Sequence, residues 1–600
     1  MADLQGTGYA SPRWSWEILD CAMPMTFDTY SNCAFQCVYC FAFFQRAIGQ
    51  GGDDYKHHKV ESVNVQSVKE LFLGKKPNSQ FNGYIKNKFV LQWGGLSDGF
   101  DWYERKFGKS LELLQFFNSI DYPISISTKG CWMVDPSRPE SAPYREAFKG
   151  AKNIHVKSSV ITLDETLSRR VEPGTATSEE RFKMLEEMNK LGVGGTTVRF
   201  RPFILGVSAD YPYTENSRKQ IDTYLKRCAD AGVYSVTSEF LCLESRSKNI
   251  ARERYQAIGE ASGFPGDSLY QFYFDNSVSK TSLLRLNYDV KRPYFEDFIE
   301  LAHKHGLKAF ISDAHHKEKS DGAGCCGLPN EGPLSKYNKG QFAEAILIAK
   351  QNGKVHWKDI ATAATWLKDI TMKGADTHGF NSGGTQERAK RTFMTMFDYM
   401  NEQWNKTNSL NSPARYFGGA LSPAPEKDEE GNVVYIYNEP YIKDAKRMES
   451  AKDIQLEMVS RGYKMQEAGE DWGYVASPVF VDARNMGASE VGVSKLMTAN
   501  RLNHVICVYP AQVEEFRNAF PDVEVSEVMG EVWQDLYFSS DYRAAWIVPG
   551  STVFTDDKGV SVTPRKYLSF AEDCTERNVP FVGYGQTGVK HISLEERSKV

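Results

Sequence analysis

Three cysteines lie close together near the start of the chain, in the segment Cys33-Ala-Phe-Gln-Cys37-Val-Tyr-Cys40. Cysteine thiolates are the usual ligands of iron–sulfur clusters, and a cubane cluster normally takes four of them. A loop that offers three thiolates therefore leaves one iron open to an external ligand. The alternative is a structural zinc site, which normally takes four protein ligands, commonly as paired Cys-x-x-Cys units. Because no second pair lies nearby, the spacing favours the cluster.

A second group of metal-ligating residue types lies further along the chain. His315 and His316 precede the adjacent cysteines Cys325 and Cys326. With Cys21 or Cys242, these residues are a candidate site for zinc or an auxiliary cluster. Adjacent cysteines rarely bind one metal easily, so a structural or redox role is the alternative.

The composition and net charge narrow the kinds of protein that this chain can be. The 600 residues include 41% hydrophobic and 25% charged residues, which is typical of a folded chain with two or three cores. The 72 Lys and Arg residues against 77 Asp and Glu give a net charge of −5, so contact with nucleic acid requires a local basic patch. The first residues lack the basic and apolar regions of a secretion signal. No apolar run approaches the roughly 18–20 residues of a membrane-spanning helix. We therefore expect a cytoplasmic protein without a membrane partner.

The first half of the chain alternates apolar β-type runs with amphipathic helical patterns, as in Ser178–Leu191 and Glu215–Ala231. The predicted strands are Pro24–Tyr30, Phe89–Trp93, Pro123–Thr128, Ile154–Thr162, Thr196–Ile204, Val233–Phe240 and Leu307–Ser312. Such alternation predicts parallel βαβ units and an α/β fold, a partial or full (β/α) barrel with an additional C-terminal α/β region. In a barrel of this kind, functional groups gather at the carboxyl ends of the strands.

The sequence pattern of the second half predicts an organisation different from the βαβ units of the first half. The helical patterns are Phe342–Gln351, Trp357–Met372 and Gln386–Trp404, followed by a loop over Ser422–Asn432 and then by Val433–Tyr437. Shorter α/β segments follow at Val505–Val508, Gln512–Phe520, Val523–Val528 and Ala545–Val548. We therefore predict a barrel domain over residues 1–330, a mainly helical region over 331–470, and a small α/β domain of unknown role over 471–600.

The cysteine loop resembles the motif of the radical S-adenosylmethionine (SAM) superfamily, in which Cys-x-x-x-Cys-x-aromatic-Cys follows the first barrel strand. Over roughly residues 15–320 the sequence is similar to the spore photoproduct lyase-like (DNA repair photolyase-like) branch. The segments that carry this similarity are Phe27–Cys33, Cys40–Ala42, Trp93–Asp98, Tyr103–Lys106, Ser127–Lys129, Ser159–Asp164, Arg169–Gly174, Glu179–Arg181 and Arg199–Pro202. The resemblance implies a [4Fe–4S] cluster on Cys33, Cys37 and Cys40, with SAM on its open iron. It further implies reductive cleavage of SAM to a 5′-deoxyadenosyl radical, with an external electron donor such as flavodoxin or ferredoxin.

The resemblance also implies positions that contact SAM. Tyr39 would lie near the adenine, and Gly94 and Gly95 would let backbone approach the methionyl part. The Ser97 hydroxyl would accept from the amino group, and Lys129 would donate to the carboxylate. The alternatives are ordinary packing for the tyrosine, a turn for the glycines and a solvated lysine.

Three further positions at strand ends have weaker assignments. Ser159 would meet the ribose, and Arg199 or Arg201 would assist the carboxylate or the adenosyl region. For the arginines, the alternative is an ion pair with an acidic residue at a strand end.

One departure from the family concerns the substrate. The repair enzyme of this branch carries its hydrogen-donor cysteine two residues before the SAM-binding serine, where this chain has Gly95. This departure argues against spore photoproduct repair. Cys131, just past Lys129, is a candidate hydrogen donor, and its alternative role is that of a small buried apolar residue.

The first candidate substrate is a nucleobase in DNA. The reaction would then be a modification of the base, including the kind of modification found in phage DNA. Between Asp54 and Lys88, seven lysines stand against three acidic residues, interleaved with His57, His58, Tyr55, Phe81 and Tyr84. Basic and aromatic side chains suit backbone neutralisation and base stacking, although a solvated insertion loop gives the same pattern. A radical SAM enzyme for a peptide or small metabolite is the second class. A non-enzymatic metal-binding scaffold is the third.

Overall fold

The structure is a computed structural model. It describes residues 4–14, 23, 25–46, 59–244, 251–277, 283–335, 340–370, 394–407, 412–417 and 420–437, followed by eight short strands between 479 and 592. The chain divides into two compact units. One comprises residues 1–274, 285–405 and 423–437, and the other comprises 275–284, 406–422 and 438–600. Among the described residues, no helix is long and apolar enough to cross a membrane.

The first unit is built on an eight-stranded sheet. Its strands are β1 (Arg13–Trp14), β2 (Met25–Phe27), β3 (Leu91–Trp93), β4 (Ile124–Ser127), β5 (Ile154–Ser159), β6 (Gly195–Phe203), β7 (Ser235–Phe240) and β10 (Lys308–Ile311). They lie side by side in that order, and every neighbouring pair is parallel except β1 with β2. Two short strands, β8 (Leu243–Glu244) and β9 (Leu283–Leu284), fall between β7 and β10 in the chain. The predicted α/β fold, with a mostly parallel sheet of partial-barrel type, is confirmed.

Helices connect these strands. Two of them match the sequence pattern closely, at Ser178–Leu191 and Glu215–Asp230. The longer of the other helices are Val65–Phe72, Lys109–Ser119, Ala142–Phe148, Glu165–Val171, Arg252–Ser262, Ser268–Asp275 and Tyr288–Lys304. Shorter ones are Phe41–Arg46, Asn82–Lys86 and Trp102–Phe107. The helices Phe342–Asn352, Trp357–Ala361 and Pro413–Tyr416 come after β10, the last strand of this sheet in the chain, and the third of them belongs to the second unit. Thr177 begins the helix Ser178–Leu191 with a capping box to Glu180, and Gly192 ends it in the left-handed conformation.

The two faces of the sheet differ in chemistry. Apolar side chains such as Val156, Val198 and Phe200 are fully buried on one face. Tyr224, from the helix Glu215–Asp230, stacks on Phe200 at 3.8 Å. The residues between these positions form what we call the polar face. Its members are Ser125 and Ser127 of β4, His155, Lys157 and Ser159 of β5, Thr197, Arg199 and Arg201 of β6, and Ser235, Thr237 and Glu239 of β7.

Two elements beyond the sheet differ from prediction. The helix predicted over Trp357–Met372 ends at Ala361 and resumes as a 3₁₀ turn over Thr365–Asp369. The Thr362 hydroxyl donates to the Lys358 carbonyl at 3.1 Å, a local bond that weakens a helix interior. The loop predicted over Ser422–Asn432 is largely a strand, β12 (Leu421–Lys427), which lies beside β13 (Val433–Tyr437) in a three-stranded sheet with β11 (Lys354–Val355). An Asp428 turn joins them, with its carboxylate accepting from the Glu430 and Asn432 amides.

The remaining segments of the chain are described only in part. Of the predicted helix Gln386–Trp404, the structure describes Met396–Asn405 as helix, and residues 386–393 lie outside the described part. In the second unit, the strands His504–Cys507, Glu524–Glu527 and Ala544–Val548 agree with the predicted segments. They belong to a six-stranded, mostly parallel sheet. The predicted segment Gln512–Phe520 lies outside the described residues.

Candidate active site

The cysteine loop follows β2, and its backbone is held from several sides. The Asn32 side chain accepts from the Cys33 amide at 2.7 Å, and the buried Asp101 carboxylate accepts from the Ala34 amide at 2.5 Å. Gln36 adopts a φ of 50°, in the left-handed region, and its side chain donates to the Cys33 carbonyl at 2.7 Å. These contacts fix the loop without using any of its three thiols.

The three thiols are free, with Cys37 buried and Cys33 and Cys40 partly buried. Burial raises the pKa of Cys33 well above its ordinary value, and it raises the pKa of Cys37 to about 11 although Lys129 lowers it. Such thiols ionise when a cation offsets their desolvation, which is what metal binding supplies. Among the described residues, no three Cys, His, Asp or Glu side chains converge as ligands of one metal ion. A cubane takes each cysteine on a different iron, so its ligands need not converge in this way. The three-thiol donor set fits such a cluster.

Lys129, at the carboxyl end of β4, extends toward the cysteine loop. Its Nζ lies 3.7 Å from Cys37 Sγ, 3.6 Å from Glu172 Oε1 and 5.4 Å from the centre of the Tyr39 ring. Burial lowers the pKa of Lys129, but Cys37 and Glu172 raise it by more, and the net shift is upward. The alternative of a solvated lysine does not hold, because its side chain is only 17% exposed.

Glu172 connects these residues to one another. Its carboxylate accepts from the Tyr39 hydroxyl, pairs with Arg181 at 2.6 Å, and accepts from the Ser168 hydroxyl at 3.3 Å. The Glu172 and Arg181 side chains are both fully buried. Burial raises the pKa of Glu172, but Arg181 and Lys129 lower it by more, so the carboxylate is ionised at neutral pH. The aromatic position of the cysteine motif is thereby tied to the same carboxylate as Lys129.

The two glycines after β3 each lie close to a neighbouring strand. Gly94 has a φ of 93°, and a Cβ there would overlap the Ser127 carbonyl oxygen. A Cβ on Gly95 would lie 3.1 Å from the Thr26 side chain. The structure therefore accounts for both glycines by contacts between strand ends, and their contact with SAM stays a prediction.

Ser97 is buried beside β2. Its hydroxyl donates to the Tyr30 carbonyl at 2.6 Å, which leaves the oxygen lone pairs available to a donor. Its amide donates to Asp28 Oδ1 at 2.9 Å, and Asp28 is ion-paired with Arg13. The predicted role as an acceptor for the SAM amino group is chemically available and stays a prediction.

The three weaker positions lie along the polar face. The Ser159 carbonyl accepts from Arg181 at 2.6 Å. Arg199 reaches the Ser127 hydroxyl at 3.5 Å. Arg201 forms an ion pair with Glu239, which is the pairing weighed as the alternative for a strand-end arginine. Their roles toward SAM stay predictions.

Cys131 is partly buried, and its thiol contacts the Lys129 carbonyl oxygen at 3.6 Å. Burial raises the pKa of Cys131 well above its ordinary value, so the group is a neutral thiol. This is the form that donates a hydrogen atom, and it is also the form of a buried apolar residue. The donor role stays a prediction.

Sequence reasoning missed two residues that organise the site. Asp98 accepts from the Thr128 hydroxyl at 2.8 Å and from the Lys129 amide at 2.7 Å, which joins the ends of β3 and β4. Arg254 donates to the Cys37 carbonyl at 2.9 Å and stacks on Phe43 at 3.9 Å. The pair of acids in Ser97-Asp98-Gly-Phe-Asp101 is a usable signal, since both lie amid buried residues. Arg254 is 214 positions from Cys40 in sequence numbering, and nothing local points to it.

The aromatic part of the Asp54–Lys88 patch is not available for base stacking. Phe81 and Tyr84 are buried, with ring centres 4.9 and 4.6 Å from that of Trp14. They belong to the core because both rings pack against Trp14 of β1. Tyr55, His57 and His58 lie outside the described residues. Among the described lysines of the patch, Lys59, Lys75, Lys86 and Lys88 are exposed.

The second candidate metal site is only partly described. The Cys325 and Cys326 sulfurs are 3.8 Å apart, and the His316 ring stacks on Tyr288 at 4.0 Å. Cys21 and the His315 side chain lie outside the described part of the chain. A metal role for this group stays a prediction.

No protein-family model matches the chain, and no curated protein matches it. Among solved structures, spore photoproduct lyase complexed with dinucleoside spore photoproduct shares 12% identity, with 48% of this chain and 76% of that chain covered and a TM-score of 0.35. SuiB from Streptococcus suis bound to S-adenosylmethionine shares 13% identity, with 52% and 55% covered and a TM-score of 0.29. SuiB bound to the precursor peptide SuiA shares 14% identity, with 49% and 59% covered and a TM-score of 0.26. Spore photoproduct lyase and SuiB are radical SAM enzymes, the superfamily that the cysteine loop resembles.

Proposed function

We propose that this chain is a radical SAM enzyme, with Cys33, Cys37 and Cys40 as the ligands of a [4Fe–4S] cluster. The observation that carries the proposal is the position of Lys129, whose ammonium lies 3.7 Å from a cluster cysteine. A cation held beside the three thiols could meet the carboxylate of SAM, which would need a charged donor if SAM binds a cluster on these cysteines. When bound, the cluster would supply the electron that cleaves SAM to a 5′-deoxyadenosyl radical.

The chain's own residues would bind and orient SAM. Lys129 would donate to the carboxylate, and the Ser97 oxygen would accept from the amino group while its proton stays on the Tyr30 carbonyl. Gly94 and Gly95 would let the strand ends approach the methionyl part. Tyr39, held by Glu172, would present its ring to the adenine.

Three positions further along the strands complete the SAM proposal. Ser159 would reach the ribose, and Arg199 or Arg201 would reach the carboxylate or the adenosyl region. Cys131 would be the hydrogen-atom donor if the reaction takes a hydrogen atom from the protein. An external donor such as flavodoxin or ferredoxin would reduce the cluster, and the enzyme would act in the cytoplasm.

For the substrate, we propose first a nucleobase in DNA. The exposed Lys75 and Lys86 support contact with a phosphate backbone, whereas Lys88 already donates to the Asp121 carbonyl at 3.0 Å. Burial of Phe81 and Tyr84 weakens this support, because those rings are not available to stack on bases. A peptide or small metabolite is therefore the second candidate, and the polar face of the sheet favours it.

Anaerobic reconstitution followed by iron and sulfide analysis tests the cluster. The protein should hold about four irons and four sulfides, and replacing any one loop cysteine by alanine should abolish the chromophore. Cys228→Ala is the matched control, since Cys228 is a buried cysteine in the helix Glu215–Asp230, far from the loop in sequence. A chromophore that survives in all three loop variants contradicts the assignment. Zinc without sulfide would support the scaffold alternative instead.

A further inference from the structure

The adjacent cysteines Cys325 and Cys326 are not used by the proposed function. Both are thiols rather than members of a disulfide, and both are partly exposed. Their Sγ atoms are 3.8 Å apart. A disulfide has an S–S distance of about 2.05 Å, so the two sulfurs need to approach by roughly 1.8 Å, which rotation of the two side chains can supply. The pair therefore lies close to the arrangement in which its sulfurs can bond to each other.

The backbone around the pair suits such a bond. Both cysteines lie in a turn, and Gly324 and Gly327 flank them. Gly327 adopts a φ of 70°, in the left-handed region, and its carbonyl accepts from the Thr197 and Ser235 hydroxyls at 3.1 and 2.8 Å. A disulfide between neighbours closes a small ring through their shared peptide bond, which requires a bent backbone. The turn is thus anchored to the sheet on one side, while the flanking glycines permit a change in backbone angles.

A disulfide between adjacent residues is strained by the covalent geometry of the chain. Consecutive Cα atoms are about 3.8 Å apart across a trans peptide, whereas the Cα atoms of a disulfide are usually about 4.4–6.8 Å apart. Such strain makes a disulfide easier to reduce, and disulfides of this kind are the regulatory or catalytic ones. A bond between these two cysteines would therefore open and close rather than serve as a permanent crosslink.

The buried cation Lys157 of the polar face is a neighbour of the pair. Its side chain is fully buried, and burial lowers the pKa of Lys157, whereas Cys326 raises it. The Cys326 sulfur thus favours the charged form of this lysine. A sulfur within a disulfide is a weaker partner for an ammonium, so closing the bond would leave the buried charge less well compensated. Lys157 therefore favours the open, dithiol form.

We propose that Cys325 and Cys326 form a redox-active dithiol, which closes reversibly to a disulfide by exchange with a small-molecule disulfide of the glutathione type. One cysteine sulfur attacks a sulfur of glutathione disulfide, so that a mixed disulfide forms and one glutathione leaves as a thiol. The neighbouring cysteine sulfur then attacks the protein sulfur of that bond, and the second glutathione leaves. Two protein thiols are oxidised, and glutathione disulfide takes up their two electrons and two protons. This exchange does not depend on SAM and extends the proposed function.

Anaerobic equilibration of the full-length, cluster-loaded protein with oxidised and reduced glutathione measures the exchange. After acid quenching, alkylation with N-ethylmaleimide under denaturing conditions and digestion with trypsin, mass spectrometry detects the peptide of residues 320–336, whose only cysteines are Cys325 and Cys326. As the glutathione becomes more oxidised, this peptide should lose both N-ethylmaleimide groups and become lighter than the dithiol peptide by two hydrogen atoms. Dithiothreitol should reverse the change. Cys228, a buried cysteine of the helix Glu215–Asp230, is the internal control and should remain a thiol throughout.

Variants test the pair and its neighbouring cation separately. Cys325→Ser and Cys326→Ser each keep one thiol, so their peptide should carry glutathione or N-ethylmaleimide and should not close. Lys157→Met should close at a glutathione ratio that is about tenfold less oxidising, because the dithiol form loses its charged partner. Since this substitution replaces a buried charge by an apolar side chain of similar length, the variant should fold. Lys152→Met, at an exposed lysine just before β5, should close at the wild-type ratio.

Several results would overturn the proposal. One is a peptide that keeps two N-ethylmaleimide groups at every ratio, and another is one that gains glutathione without closing. Zinc bound in equal amount to the protein, and lost in Cys325→Ser, would make the pair a metal site instead. An unchanged closing ratio in Lys157→Met would overturn the role of that lysine. Closure should persist in Cys33→Ala, which lacks the cluster, so failure of SAM cleavage and failure of closure are independent results.

Discussion

Glu172→Gln tests the charge network beneath the cysteine loop. The substitution keeps the shape of the side chain and one acceptor oxygen for the Tyr39 hydroxyl, but it removes the charge that pairs with Arg181 and Lys129. Both Glu172 and Arg181 are fully buried, so solvent cannot replace the lost partner. Removing one member of such a pair typically costs about 3–5 kcal/mol of unfolding free energy. We expect the loss to fall in that range.

The sign of the pH dependence follows from the same contacts. Because the pKa of Glu172 is lower in the folded protein than in the unfolded chain, its stabilisation is present above the unfolded value of 4.5 and is lost as pH falls through the folded value. The difference in stability between wild type and Glu172→Gln should therefore be constant near neutral pH and should shrink in acid.

Urea denaturation at pH 7, followed by circular dichroism, measures the effect. Glu179→Gln is the matched control, because Glu179 pairs with Arg227 at the surface, where its side chain is 54% exposed. Such a pair is typically worth about 0–1 kcal/mol. The double variant Glu172→Gln/Arg181→Met should recover a large part of the loss, since it removes the unpaired charge. A loss in Glu172→Gln no larger than that in Glu179→Gln would refute the reasoning.

Three other predictions follow from single contacts. Lys129→Ala should weaken SAM binding while sparing the cluster, because a charge-assisted hydrogen bond is worth about 1.5–3 kcal/mol, and unchanged affinity in calorimetry would remove the residue from the site. Glu318 is buried, its carboxylate has no hydrogen bond to another described residue, and burial raises its pKa from 4.5 to about 7. The folded protein should therefore lose on the order of 3 kcal/mol as pH rises from 4.5 to 7, and Glu318→Gln should abolish that loss in urea titrations at pH 5 and pH 8. With Gly95 at the position of the repair enzyme's cysteine, the protein should not convert dinucleotide spore photoproduct to two thymines. Efficient conversion would contradict this, and its loss in Cys131→Ala would still support Cys131 as a hydrogen donor.

Much of the sheet could be predicted because its strands are short apolar runs bounded by turns, as in Ile124–Ser127 and Ser235–Phe240. The same pattern does not reveal that the polar face is buried. Alternation in β5 (Ile-His-Val-Lys-Ser-Ser) ordinarily indicates a strand with one solvated face, whereas His155 and Lys157 are fully buried. The strand at Leu421–Lys427 was missed because its prolines and acidic residues are typical of a loop, and an edge strand tolerates both.

The residues of the candidate site were predictable only where they lie in a short motif within one segment of the sequence. The three cysteines and the residues after β3 and β4 stand at strand ends, so their proximity follows from parallel topology. The partners of those residues come from other elements. Glu172 and Arg181 flank the start of the helix Ser178–Leu191, and Arg254 comes from a helix after β7. Their contacts depend on tertiary packing, which single-chain patterns do not encode.

The central claim is that this chain cleaves SAM reductively on a cluster held by three cysteines. The direct measurement is formation of 5′-deoxyadenosine, by liquid chromatography with mass spectrometry, from anaerobically reconstituted protein with SAM and dithionite. We expect 5′-deoxyadenosine from the wild type and from Cys228→Ala, and none from Cys33→Ala, Cys37→Ala or Cys40→Ala. A reconstituted wild type that holds its iron and sulfide yet forms no 5′-deoxyadenosine, or a loop variant that still forms it, would contradict the claim.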